Sequence, residues 1–191
     1  MPDEIRAARV LLRKPRAADT PLMFSVYAQD PAVTRYLTWR PHGDIAETRV
    51  VIDRFLAAWE RQEEFCWLLF TNDAVQMIGS IAARREDGGF NLGFLLARSH
   101  WGRGYMPEAI IAVVDWAFTQ PWVSRVWAVC DVENHSSARA VERLDSAARS
   151  FYPSSQCIPT SRRHLVIATP MRSAALPKRE GVIRSQDEES R

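Results

Sequence analysis

Two glycines flank an arginine in Trp101-Gly102-Arg103-Gly104-Tyr105-Met106, and this segment leads from a strand-like pattern directly into a helix-like one. A turn that opens a helix leaves backbone N–H groups unpaired at the positive end of the helix dipole. Glycine at 102 and 104 lets an anion approach that backbone closely, so the chemistry on offer is phosphate or pyrophosphate binding, with Arg103 as an added charge. A plain tight turn is the competing reading of Gly-x-Gly taken alone. The dinucleotide fingerprint is excluded because no third glycine follows at its spacing, and the P-loop because Gly-Lys-Ser/Thr is absent. His42 and His100 fall in loop-like stretches and have an ordinary pKa suited to proton transfer, but a solvated surface position is the plainer expectation for both. Cys66, Cys130 and Cys157 lack metal-ligand spacing, and Cys130 reads as a small buried hydrophobe in an apolar run.

The glycine turn needs a strand before it and a helix after it, and both are legible. Phe90 to Leu96 is a strand, preceded by strands at Phe65 to Thr71 and Met77 to Arg84, with turns at Asn72-Asp73-Ala74 and Gly88-Gly89. The three predict an antiparallel meander, with the charged run Arg84 to Asp87 at a solvated hairpin end. After the turn, Ala109, Ile110, Val113, Val114, Ala117 and Phe118 recur at helical spacing as a core-facing stripe. Upstream, Val10 to Arg13 reads as a strand, and Asp19 or Thr20 as the cap of a helix with Pro21 at its first position. Pro31 to Tyr36 predicts a short helix. A longer one, capped by Asp44, carries Ile45, Val50, Ile52, Phe55, Leu56 and Trp59. Val126 to Val132 predicts a buried strand and Ser136 to Leu144 a helix.

Composition sets the outer bounds. The chain has 191 residues, 47% hydrophobic and 25% charged, with a formal net charge of +2. That balance suits one globular domain and excludes collagen-like, coiled-coil and wholly disordered chains. No apolar run approaches the roughly 20 residues that span a bilayer, and Met1-Pro2-Asp3-Glu4 does not begin a signal peptide. With three cysteines in no paired pattern, a reducing, cytoplasmic location is expected. Arginine outnumbers lysine, which occurs only at Lys14 and Lys178. The arginines are interleaved with acids, which predicts solvated surface rather than a nucleic-acid stripe. The tryptophans are expected mostly in the core.

Several segments together carry a resemblance. Asn91 to Leu96, then Trp101 to Ala109, resembles the acetyl-CoA-binding segment of the GNAT N-acetyltransferase superfamily. Within it, the segment most resembles the branch that includes the ribosomal-protein N-terminal acetyltransferases. Asp131 to Arg139 is similar to its Asn-x-x-Ser-x-Arg segment, and Trp39-Arg40-Pro41-His42 with Glu47-Thr48 to its substrate-side loop. The likeness runs in order from about Val10 to Leu144. It implies an α/β (α+β) fold, a mixed, mostly antiparallel sheet flanked by helices, and acetyl-CoA as co-substrate without a metal. It implies pantetheine along Phe94, Leu95 and Leu96, and pyrophosphate on Trp101, Gly102, Arg103, Gly104, Tyr105 and Met106. Asn134 would bond the cofactor arm, Ser137 would lie near the sulfur as a proton donor, and Trp39 and Arg40 would face the acceptor. Helix capping is the competing reading of Asn134 and Ser137. The acceptor would be a peptide N-terminus or a small-molecule amine, with neither nucleic acid nor membrane as partner and with room for a homodimer. Asn91 departs from the branch, which often has a glutamate there as candidate base. A neutral carboxamide cannot accept the proton, leaving water, Glu86 or Asp87, or no efficient base. A catalytically weak CoA-binding module is therefore the alternative.

After Glu142-Arg143-Leu144 the resemblance stops abruptly, before the closing strand pair of the branch. Read out of phase, the codons of Leu144-Asp145 permit Gly, those of Asp145-Ser146 permit Phe, and those of Gln156 to Ser161 permit Val-His-Pro-Asn-Ile. Residues from about Asp145 thus read as a frameshift product, and the chain as an impaired paralogue. The alternative is a divergent C-terminus with Leu165 to Ala168 as its last strand. Resequencing across the Leu144 codon decides between them. The domain is expected over residues 1–171, with a polar, disordered tail from 172 to 191.

Overall fold

The computed structural model describes residues 1–131, 133–140, 157–158 and 164–168. Its centre is one sheet in the order β1-β2-β3-β4-β5-β6-β8-β7. The strands are β1 (Glu4–Arg6), β2 (Val10–Arg13), β3 (Glu64–Thr71), β4 (Met77–Glu86), β5 (Gly89–Leu96), β6 (Arg125–Val129), β7 (Cys157–Ile158) and β8 (His164–Ala168). β3 lies mid-sheet and is buried from Phe65 to Thr71, as its unbroken apolar run requires. The expected meander is present: β3, β4 and β5 pair antiparallel, with Gly88 in the left-handed region at the tight β4–β5 turn. β5 and β6 pair in parallel, Asn91 opposite Trp127. A parallel pair needs a crossover, and the helix after the glycine turn supplies it.

The helices cover both faces. α1 (Thr20–Met23) continues into a wider π-helical turn through Ala28, and α2 (Pro31–Thr34) is capped by the Asp30 carboxylate on the Ala32 N–H. α3 (Ile45–Glu60) is capped by Asp44, which accepts from the N–H groups of Ala46 and Glu47. Together with the sheet these elements bury Met23, Tyr27, Val33, Ile52, Leu68 and Phe70 in one cluster. α4 (Tyr105–Phe118) builds the larger cluster on the opposite face, where Ala109, Ile110, Val113, Val114 and Ala117 are buried. A further helix, α5, begins at residue 135 and is described to 140.

Several expectations are corrected. Ile45 and Val50 are exposed, so the inner stripe of α3 is narrower than its apolar positions suggest. Asp19 does not cap α1; its carboxylate turns back to the Arg16 N–H and the Arg13 guanidinium. α2 stops at Thr34 and β6 at Val129. A closing strand pair does exist, with β8 antiparallel to both β6 and β7, where the divergent reading expected its last strand. Residues 145–156, on which the frameshift reading bears, and the tail at 172–191 lie outside the described residues, as does the end of the helix expected to Leu144.

Candidate active site

A cleft of about 480 Å³ opens at the C-terminal end of β5. Phe94, Leu95 and Leu96, all half-buried, form its floor. Trp101, Gly102 and Gly104 of the turn with Met106 of α4 line one wall, Asn134 and Ser137 at the start of α5 a second, and Ala32, Val33, Arg35, Tyr36 and Leu37 a third. Segments distant in sequence thus meet in one concave site.

The turn has the conformation that its glycines suggest. Gly102 has φ +74° and Gly104 φ +80°, both in the left-handed region that costs other residues. Gly104 is the residue before α4 and has no side chain to cap it, so the first N–H groups of α4 are left for another acceptor. A Cβ placed on Gly102 would meet no atom within 4 Å, so the space beside that backbone is open. The indole N–H of Trp101 donates to the Leu96 carbonyl at 2.8 Å and ties the turn to the strand end.

Arg9, in the loop before β2, pins the turn from behind. Its Nη1 donates to the Arg103 carbonyl at 3.1 Å, and its guanidinium carbon lies 5.0 Å from the centre of the Tyr105 ring. Both Arg9 Nε and the Arg9 backbone N–H donate to the Glu108 carboxylate, at 2.8 and 2.6 Å. A carboxylate in the first turn of α4 would repel an anion held there, and the Arg9 charge offsets it. Sequence reasoning missed Arg9, because nothing local to residues 7–10 indicates a partner near residue 103. Arg103 and Tyr105 themselves do not line the cleft: Arg103 is exposed and meets Arg9 only through its carbonyl, and Tyr105 packs between Arg9 and the core.

Asn134 serves the helix and faces the cleft at once. Its Oδ1 accepts the Ser137 N–H at 3.1 Å, the expected cap, which leaves its NH₂ group to donate elsewhere. Ser137 is half-buried and lines the same wall. Asn91 is not in the cleft; it sits earlier on β5, and its Nδ2 donates to Glu86 at 3.1 Å. Gly89, opposite Glu86, lies five positions before Phe94, roughly 16 Å along the strand, too far for Glu86 to act in the cleft.

The histidines are corrected outright, for both are buried. His42 Nδ1 lies 2.7 Å from Thr48 Oγ1, its ring packs tilted against Trp39 with centroids 4.9 Å apart, and burial above all lowers its pKa. His100 Nδ1 lies 2.9 Å from Ser99 Oγ, and burial, then the Arg103 charge, lower its pKa. Trp39 and Arg40 do not line the cleft: Trp39 packs on His42, and Arg40 pairs with Glu47 at 2.7 Å. Burial pushes the Cys66 thiol up, which removes it as a nucleophile. Cys130 is half-buried, just beyond the end of β6.

Known proteins match this chain in sequence and in fold. The acetyltransferase (GNAT) domain family matches residues 9–146, nearly the interval from Val10 to Leu144 that carries the resemblance. The N-acetyltransferase p20 of Bacillus licheniformis is 28% identical over 139 residues, covering 71% of this chain and 78% of its own. An acetyltransferase structure from Agrobacterium tumefaciens has a TM-score of 0.66 at 26% identity, over 87% of this chain and 92% of its own. RimL, a ribosomal L7/L12 alpha-N-protein acetyltransferase solved with coenzyme A, has a TM-score of 0.67 at 20% identity, over 73% and 81%, a likeness of fold.

Proposed function

The chain belongs to the GNAT acetyltransferase family, and from that premise we propose that it transfers an acetyl group from acetyl-CoA to a primary amine by direct attack on the thioester. The observation that carries this reading is the meeting in one cleft of the β5 end, the glycine turn and the start of α5. The open space beside Gly102 and the uncapped start of α4 fit a pyrophosphate, and the apolar floor fits a pantetheine arm. Acetyl-CoA, when bound, supplies an acyl carbon open to a nucleophile. The remaining tasks belong to the chain. Backbone N–H groups of Gly102 to Met106 donate to the phosphate oxygens. Asn134 has its carboxamide oxygen committed to the Ser137 N–H, so it uses its NH₂ to hold a carbonyl of the arm. Ser137 keeps a proton on Oγ for the departing sulfur. The amine gives up one proton and the thiol takes one up, so the overall transfer needs no further reactant.

Among the described lining residues there is no carboxylate or imidazole. The acceptor then enters as the neutral amine, and its proton leaves through water. That same feature, with Asn91 tied to Glu86, favours a second reading: a CoA-binding protein with little turnover. Acetyl-CoA turnover against an amine and peptide panel, read as free CoA thiol, separates the two. Amine-dependent, saturable thiol release supports the transferase. CoA binding with no release from any amine supports the weaker module. The catalytic domain is proposed to span residues 1–171. No described helix is long and apolar enough to cross a membrane.

A further inference from the structure

The charge of the cleft is one-sided. Its described lining holds two guanidinium groups, Arg35 and Arg139, and neither forms an ion pair with a described residue. The chain as a whole is nearly balanced, with 25 Lys and Arg against 23 Asp and Glu, so this pair is a local feature. Its two members stand on different walls. Arg139 is on α5, beside the Asn134 and Ser137 given to the cofactor arm. Arg35 follows α2, which packs through Val33 into the cluster on the sheet face opposite α4. Arg35 and the glycine turn thus line the same cleft from different elements. The Arg35 guanidinium carbon lies 5.1 Å from the centre of the half-buried Tyr36 ring, which also lines the cleft. A cation held over an aromatic face is oriented before any ligand arrives.

We propose that Arg35, braced on Tyr36, selects the acceptor, favouring primary amines that carry a carboxylate or phosphate near the amino group. This rests on the acetyl-transfer reading and adds the class of acceptor to it. An anionic group would pair with Arg35, whereas a second ammonium on a diamine would be repelled by it. A fixed cation beside the amine also favours its neutral, nucleophilic form.

The test is steady-state acetylation by the full chain, with circular dichroism as folding control. Acceptors are the tripeptide amides Ala-Asp-Ala, Ala-Asn-Ala and Ala-Lys-Ala, and phosphoethanolamine against ethanolamine. The expected kcat/KM is about tenfold higher for the anionic member of each pair than for its neutral counterpart. Arg35→Gln should abolish that preference, and Arg35→Glu should turn it toward Ala-Lys-Ala, with KM for acetyl-CoA nearly unchanged in both. The phosphate and carboxylate arms rank the two anions. Turnover with no charge discrimination would overturn the inference alone. So would an intact preference in Arg35→Gln accompanied by a raised KM for acetyl-CoA, which would make Arg35 a cofactor contact. Failure to acetylate any acceptor would overturn the transferase reading and this inference with it.

Discussion

Asn134 caps its helix through Oδ1 and, in the proposed function, offers its NH₂ to the cofactor arm, and a single substitution separates the two. Asn134→Asp keeps an oxygen for the Ser137 N–H, so thermal stability should be held, but it removes the NH₂ donor. CoA affinity should fall while the melting temperature does not. Asn134→Ala should lose both, with about 1 kcal/mol of stability gone with the cap. Ser137→Ala should lower kcat with little change in KM for acetyl-CoA, measured as initial rate of thiol release; an equal fall in affinity would move Ser137 from proton donor to binding contact. The capping role of Asn134 was legible from its place just before a helical run. The histidines were misread because burial is a tertiary property: the His42 N–H reaches the Ala28 carbonyl, and the ring is covered by Trp39. Loop residues in sequence are not always surface residues in space.

At the scale of elements, the site is a strand end, a turn and three helix termini, and only the contiguous part was legible. The apolar runs of β3, β4 and β5, the glycines and the stripe of α4 announce themselves within about ten residues each. The α2 wall and the Arg9 clamp do not, because they depend on which elements the sheet brings together. Arg9 meets Arg103 across a separation of 94 residues. The clamp gives a prediction. Arg9→Met should loosen the turn and leave the Glu108 carboxylate uncompensated near the phosphates, weakening CoA binding several-fold; adding Glu108→Gln should restore part of it. A calorimetric double-mutant cycle reads this coupling. Additive losses would reduce the Arg9–Glu108 pair to a surface ion pair of small consequence, as exposed pairs commonly are.

For the molecule as a whole, two hydrophobic clusters on opposite faces of one sheet bind the elements into a unit, and the buried histidines make its stability depend on pH. His42 and His100 both have pKa values lowered by burial, so the unfolded chain binds protons more readily than the folded one. Stability should be fully present above the unfolded histidine pKa of about 6.5 and decline as pH falls below it. The melting temperature should drop between pH 7.5 and pH 5, and the drop should shrink in a His42→Gln, His100→Gln variant. The sheet order was legible only in its antiparallel middle; the parallel β5–β6 pair and the closing β6–β8–β7 register join strands far apart in sequence. Acetyl-CoA binding in this fold depends on the glycine turn cradling the phosphates, a proposal that Gly102→Ala tests with the least ambiguity. Beyond its two chain neighbours, no protein atom lies within 4 Å of the added methyl, so a loss of affinity reports on the ligand and on a left-handed φ, not on a clash with another part of the protein. Calorimetric titration of CoA should give saturable binding to the wild-type chain and about tenfold weaker binding, roughly 1.4 kcal/mol, to the folded variant. Wild-type affinity in a folded Gly102→Ala protein, or no binding by the wild-type chain at all, would contradict the account.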